Sequence, residues 1–190
     1  KRIEDVSFLR NFQFVEDDGP TSHAVKPKEY VSIDNFYTTT IYEKGAELIR
    51  MLELLLGNKK FMQGIKVYID TFDGSAATTE DFVDSVLKGA NYDKINNKFD
   101  PEKFKDWYYK AGTPLVSFKQ IWDPDNSTLN IYFEQNLECD NTSVEMIIPI
   151  LYSCYSGDNG NKLIVKESLF VLDKKNKILK IEGLNELKSR

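Results

Sequence analysis

The residue best suited to chemistry in this sequence is Tyr42, which follows a second tyrosine, Tyr37, by five positions. A phenol is uncharged at neutral pH and carries one strong O–H donor. Such a donor can hydrogen-bond an oxyanion without competing for a metal ion. An isolated tyrosine is nevertheless more often a core or surface residue, so the surrounding segments decide between the two interpretations.

Other signs of catalysis or metal binding are weak. The single histidine, His23, has no serine or cysteine nucleophile context, and a loop histidine is more often a structural hydrogen-bonding residue. One histidine and two widely spaced cysteines, Cys139 and Cys154, make neither a zinc site nor a disulfide framework. Residues 74–79 lack the glycines and lysine of a phosphate-binding loop. We therefore predict no metal ligand in this chain.

Composition indicates a folded protein and disfavours two classes of binding partner. Of the 190 residues, 41% are hydrophobic and 13% aromatic, which supplies a core and argues against disorder. The net charge is −5 and the lysines are dispersed, which disfavours nucleic acid and anionic membranes as partners. No apolar run reaches the roughly 18–20 residues of a transmembrane helix. Localisation is left open, with the cytoplasm favoured.

Helical periodicity and capping signals predict four helices after an irregular N-terminal stretch. The first helix repeats apolar residues at steps of three and four and ends at Gly57, since glycine tolerates positive φ. On such a helix Tyr37 and Tyr42 are about 140° apart, so they reach one cavity only from neighbouring flanks. The irregular stretch and the four helices are predicted at residues 1–27, 35–56, 59–72, 78–89 and 100–111.

After Pro114 the spacing changes to period 2, which predicts short strands. Because helices and strands are segregated along the chain, we predict an α+β fold in two domains, 1–113 and 114–190. The second would be an antiparallel β-sandwich from which at least one strand is missing. Strands are predicted at residues 116–118, 129–133, 146–152, 163–165, 168–172 and 178–181, with a tight turn at 158–160.

The run from Asn35 to Met51, centred on Tyr42-Glu43-Lys44-Gly45, resembles the aminopeptidase N family of gluzincin zinc peptidases, in its bacterial-type and apicomplexan branch. The resemblance extends over residues 1 to about 118, and less closely over the strand-rich segment. Further matching segments occur in the same order, at residues 2–6, 9–10, 13–17, 22–27, 73–78, 81–82, 107–114, 148–149 and 151–152.

The resemblance implies a role for each tyrosine. Tyr42 would donate to the oxyanion of the tetrahedral intermediate, opposite the zinc, and Tyr37 would help to line the pocket for the first substrate side chain. The parent enzyme would use Zn²⁺ to remove N-terminal residues from peptides, with a zinc-bound water as nucleophile and a glutamate as base. Residues 1–113 would be the helical part of its thermolysin-like catalytic domain.

Two motifs of the family are absent from the sequence: the H-E-x-x-H…E zinc motif and the G-x-M-E-N motif that anchors the substrate amine. The resemblance therefore implies a fragment that begins after both motifs, binds no catalytic zinc and is inactive alone. Two alternatives stay open. One is a non-catalytic scaffold or interaction module with the same fold, and the other is a carbohydrate-binding sandwich that uses Trp122 and Tyr132 as exposed aromatics.

Overall fold

The computed structural model divides the chain into two compact units, Lys1–Thr113 and Pro114–Arg190. Helices form the first unit and antiparallel strands the second, so the predicted α+β fold class is confirmed. The predicted turn at residues 158–160 lies outside the described part of the chain. The structure describes residues 1–93, 99–139, 141–156 and 162–184.

Residues 2–17 are helical, so the prediction of an irregular stretch over 1–27 is wrong for this part and correct for residues 18–27. Helix α1 (Arg2–Phe8) continues through a π-helical segment, Leu9–Gln13, into α2 (Phe14–Asp17). Its buried side chains are Leu9, Gln13 and Asp17, which recur every fourth residue. Because two of these three are polar, the buried stripe gives no apolar periodicity in the sequence.

The helix that carries Tyr42 begins later than predicted. A 3₁₀ turn, Ile33–Phe36, comes first, and Ser32 and Asn35 close it as a capping box, so Asn35 belongs to a separate turn. A π-helical segment, Thr40–Lys44, then leads into α3 (Gly45–Leu56). The helix ends as predicted at Gly57, which has a φ of +81°.

Three further helices confirm the sequence prediction. Helix α5 starts at a capping box between Thr78 and Asp81, and α6 starts at Asp100, whose side chain accepts from the backbone of Glu102. The three helices are α4 (Asn58–Phe72), α5 (Thr79–Gly89) and α6 (Pro101–Tyr109). Their buried side chains include Phe61, Val83, Val86, Leu87, Phe104, Trp107 and Tyr108.

Helices α4 and α5 meet through their backbones at two glycines. A Cβ atom added at Gly64 would lie 2.4 Å from the carbonyl oxygen of Val86, and one added at Gly89 would lie 2.6 Å from the Cα atom of Gly64. Both distances are shorter than a van der Waals contact between such atoms. Gly89 is therefore a packing residue as well as the helix end that the sequence indicated.

The second unit contains two main sheets that share a core. One sheet has the order β1-β2-β7 and the other pairs β5 with β6. Buried side chains from both sheets, such as Phe133 and Phe170, belong to one hydrophobic cluster. The strands are β1 (Leu115–Asp123), β2 (Thr128–Asn136), β3 (Glu138–Cys139), β4 (Thr142–Ser143), β5 (Ile148–Ser156), β6 (Lys162–Leu172) and β7 (Asn176–Ile181).

The two strands predicted at 163–165 and 168–172 are one continuous strand, β6. Its pairing with β5 changes register between Tyr152 and Cys154 and again before Tyr155. Such irregularities shift the alternation of inward and outward side chains, which makes one strand look like two in the sequence.

Replacing Gly64 with alanine should lower the free energy of unfolding by about 1–3 kcal/mol, because the new methyl group meets the rigid backbone of Val86. Gly45→Ala is the matched control. A Cβ there meets only Val25 at 3.6 Å, an ordinary contact, so that variant should be neutral or slightly more stable. Urea unfolding measures both, and equal stabilities for the two variants would contradict the close packing of α4 on α5.

Candidate functional site

Tyr37 and Tyr42 lie side by side on the surface of the helical unit. Their ring centroids are 6.2 Å apart with planes inclined by 22°, and the residues are 69% and 58% exposed. The expected separation of about 140° is wrong because Tyr37 precedes the helix, with φ −108° and ψ 42°. Both rings therefore contribute to one exposed aromatic surface, which we call the tyrosine pair.

The Tyr42 hydroxyl takes part in none of the hydrogen bonds found among the residues that the structure describes. Its backbone N–H donates to the carbonyl of Thr38 at 3.2 Å, so the main chain at Tyr42 is bonded into the turn. The phenol is consequently an exposed donor on an ordered backbone.

Tyr42 points outward because the residues two positions before and after it point inward. Thr40 is fully buried, with a relative exposure of 0%, and the side chain of Lys44 is only 6% exposed. In a helical segment, residues two apart do not share a face. The buried Thr40 and Lys44 therefore fix the direction of the tyrosine between them.

The carboxylate of Glu16 binds the start of the turn that carries Tyr42. Its Oε2 atom accepts hydrogen bonds from the Thr39 hydroxyl, from the Thr40 N–H at 2.8 Å and from the Thr40 hydroxyl at 3.0 Å. Burial alone would raise the pKa of Glu16, but these hydrogen bonds outweigh it and hold the pKa below its ordinary value. Glu16 thus supplies, from a distant segment, the acceptor that a helix N-terminus needs.

The end of the same turn is held by a buried ion pair between Asp17 and Lys44. Lys44 Nζ lies 2.8 Å from Asp17 Oδ2, and the two side chains are 6% and 1% exposed, respectively. Lys44 Nζ also donates to the carbonyl of Gly112 at 2.9 Å and lies 6.0 Å from the ring centroid of Trp107. The pair therefore connects four parts of the helical unit: α2, the π-helical turn, α6 and the residues that follow it.

Asp17 has enough donors to remain charged in this buried position. Besides Lys44, the backbone N–H of Gly112 donates to it at 3.2 Å and the Thr113 hydroxyl at 2.6 Å. Burial would raise the pKa of Asp17, but Lys44 and the hydroxyl of Thr113 overcome this effect, and the pKa lies below its ordinary value. Asp17 is therefore a buried, charged residue with a structural role, and its surroundings do not indicate a general acid or base.

His23 has a structural role, as the sequence predicted. Its Nδ1 lies 2.8 Å from the carbonyl oxygen of Thr21, which can only accept, so Nδ1 carries a proton. Its Nε2 contacts the Thr38 hydroxyl at 2.8 Å, and that hydroxyl oxygen accepts from the N–H of Ile41 at 3.2 Å. His23 thereby supports the chain just before Tyr42.

Sequence reasoning missed Glu16, Asp17 and Lys44 as determinants of this site. All three lie in segments that carried the family resemblance, but nothing in their spacing shows that residues 23 to 27 positions apart form contacts. What distinguishes Asp17 and Lys44 from other charged residues is their burial, and burial cannot be read from the sequence before the fold is known.

A zinc ion does not fit the residues that the structure describes. Across residues 1–93, 99–139, 141–156 and 162–184, no group of three or more His, Cys, Asp or Glu side chains is placed to hold a metal ion. Over the same described ranges, no helix is sufficiently long and apolar to cross a membrane.

The sequence of each unit matches the model of a known protein family. The helical unit matches the family model of the peptidase family M1 domain over residues 5–104. The strand-rich unit matches a domain of unknown function with an Ig-like fold over residues 112–188. The chain therefore belongs to peptidase family M1.

Individual relatives show the same similarity. The chain is 37% identical over 170 residues to aminopeptidase N of Haemophilus influenzae and 36% identical over 166 residues to aminopeptidase N of Escherichia coli. These alignments cover 88% and 86% of this chain but only 19% and 18% of the relatives. The chain thus spans about a fifth of the length of these relatives.

A solved structure shares the fold. The crystal structure of Legionella pneumophila aminopeptidase A in complex with aspartic acid matches 85% of this chain and 17% of its own, with a TM-score of 0.72 and 23% sequence identity. At this identity the similarity establishes the arrangement of the backbone and leaves the chemistry to the residues themselves.

Replacing Lys44 with methionine should lower the free energy of unfolding by about 3–5 kcal/mol, because Asp17 would be left charged and buried without its cation. The control is Lys66→Met, which removes an exposed pair with Asp70 at 2.7 Å and should cost less than about 1 kcal/mol. Chemical denaturation measures both variants. If Lys44→Met is as mild as the control, the ion pair does not hold the turn.

Proposed function

We propose that this chain is part of a zinc-dependent aminopeptidase that hydrolyses N-terminal residues from peptides. In this enzyme Tyr42 donates a hydrogen bond to the oxyanion of the tetrahedral intermediate. The observation that carries the proposal is an exposed phenol on a turn whose start is bound by the part-buried carboxylate of Glu16 and whose end is bound by the buried carboxylate of Asp17. Membership of peptidase family M1 and the names of the relatives support the reaction class.

The chemistry of the phenol suits this role. When a nucleophile adds to a peptide carbonyl, negative charge develops on the carbonyl oxygen, and a donor already in place stabilises that charge without reorganisation. Because the phenol is neutral, charge attraction contributes nothing to its interaction with the uncharged substrate. One such donor is worth about 3 kcal/mol in the transition state.

We assign to Tyr37 a part in binding the first substrate side chain. Its ring stacks on that of Tyr42 and is largely exposed, so it offers an aromatic surface beside the proposed oxyanion donor. The contribution would come from the ring, because contact with a side chain requires area rather than a hydroxyl.

The zinc ion of such an enzyme has no ligand set among the described residues. We therefore propose that residues other than these hold it, and that the 190-residue chain alone has no peptidase activity. The contribution of this chain would be to place the tyrosine pair.

The carbohydrate-binding alternative has little support in the second unit. Trp122 packs against the hydrophobic cluster instead of standing free on the surface, and Tyr132 alone of the two candidates is exposed. A single exposed tyrosine does not make a sugar-stacking platform. The scaffold alternative makes a different prediction for Tyr42, which the next experiment distinguishes.

In the full-length enzyme, Tyr42→Phe should lower kcat by about 10²–10³-fold, because the ring is kept and only the oxyanion donor is lost. Tyr37→Phe is the matched control: it removes the neighbouring hydroxyl and should leave kcat within about threefold, since that residue contributes its ring. Steady-state hydrolysis of aminoacyl-coumarin substrates measures both. Equal kcat values for Tyr42→Phe and the unmodified enzyme would refute the oxyanion role, and absence of any hydrolysis by the latter would favour the scaffold.

The 190-residue chain on its own should bind less than stoichiometric zinc and release no coumarin, since the described residues offer no metal cluster. Metal analysis after dialysis against excess zinc, with the same fluorogenic assay, tests this expectation. One tightly bound zinc per chain together with measurable turnover would show that the chain holds a complete active site.

A further inference from the structure

We infer that Glu16 is a positioning residue for Tyr42: its carboxylate fixes the first turn of the tyrosine's helix and thereby the place of the phenol. The inference rests on the proposed function of Tyr42. Glu16 would not contact the substrate; it would act through the turn at Thr39 and Thr40, which it binds.

The contacts of Glu16 are concentrated on a single oxygen. Three donors converge on Oε2, two hydroxyls and one backbone N–H, and all belong to the adjacent residues Thr39 and Thr40. Hydrogen bonds to a charged acceptor are stronger than neutral ones. An anion at a helix N-terminus is also favoured by the helix dipole. This set of contacts holds two consecutive residues of the turn at once.

The turn itself needs such support. Residues Thr40–Lys44 are π-helical, a conformation that is rare and usually limited to single turns. Thr39, which occupies the position before this turn, makes no side-chain capping bond of its own. With Thr40 fully buried, loss of the Glu16 acceptor would leave its N–H unpaired in the interior, while its hydroxyl would keep only the 3.4 Å hydrogen bond that Gln13 Nε2 donates. The turn would then rearrange, and Tyr42 lies only two residues further on.

Glu16 and Asp17 act at opposite ends of this turn, so their effects are separable. Asp17 holds Lys44 at the end and also binds Gly112 and Thr113, which makes it necessary for the whole unit. Glu16 contacts only the start of the turn through its hydrogen bonds. Its removal should therefore change the position of the phenol more than the stability of the fold.

The test is a double-mutant cycle in the full-length enzyme, with Glu16→Gln, Tyr42→Phe and the combined variant assayed for peptide hydrolysis. Glu16→Gln keeps one acceptor oxygen but removes the charge that strengthens its three hydrogen bonds, so the turn is held less firmly. This change should lower kcat by about tenfold and leave KM within about twofold, since small displacements of a catalytic group reduce the rate steeply. In the Tyr42→Phe background the same change should lower kcat by less than about twofold, because no phenol remains to be positioned.

A matched control is Asp81→Asn, which removes the carboxylate from the capping box of α5, a helix that does not carry the tyrosine. It should lower the melting temperature without changing kcat. If Glu16→Gln fails to fold, Thr39→Val removes one of the three donors to Glu16 and should show the same dependence on Tyr42 with a loss of about threefold.

The outcomes separate the two claims. The inference is overturned if Glu16→Gln keeps full kcat, if its loss is equally large in the Tyr42→Phe background, or if Asp81→Asn lowers kcat to the same degree. The proposed function itself fails if Tyr42→Phe alone has no effect on kcat, whatever the Glu16 variants do.

Discussion

The arrangement of the helical unit depends on one buried ion pair, that between Asp17 and Lys44. Both side chains are almost fully buried, and the desolvation of the Asp17 carboxylate is offset by Lys44 together with the Gly112 and Thr113 contacts. The pair joins α2 to the tyrosine-bearing turn, across 27 positions of the chain. Removing one partner of such a buried pair is strongly destabilising.

Two consecutive carboxylates, Glu16 and Asp17, bind the two ends of the turn that carries Tyr42. Glu16 binds the start of the π-helical turn and Asp17 binds Lys44 at its end, so the five-residue segment is held from the same neighbouring helix. Because Thr40 and Lys44 at the two ends of the turn point inward, Tyr42 points outward, where its ring stacks on that of Tyr37. The phenol is therefore exposed on an ordered backbone, and the proposed stabilisation of a developing charge requires such a fixed donor.

The sequence predicted those parts of the fold that rest on local chemistry. The capping residues Thr78 and Asp100 and the positive φ of Gly57 define helix ends within a few residues, and these predictions were correct. The N-terminal helix was missed because Gln13 and Asp17 give its buried face a polar character. The stacking of the tyrosine pair was missed because Tyr37 lies before the helix and not on it. The ion pair of Lys44 was missed because it joins residues 27 positions apart, a contact that no local pattern contains.

The central claim is that Tyr42 recognises the tetrahedral, negatively charged state and not the substrate. The most direct measurement is the affinity of the full-length enzyme and its Tyr42→Phe variant for a phosphinic peptide, a stable tetrahedral anion, compared with a trigonal substrate-like peptide inhibitor. The variant should bind the tetrahedral compound about 10²-fold more weakly, while its affinity for the trigonal compound should be unchanged. Equal weakening for both compounds, or none for either, would contradict this claim.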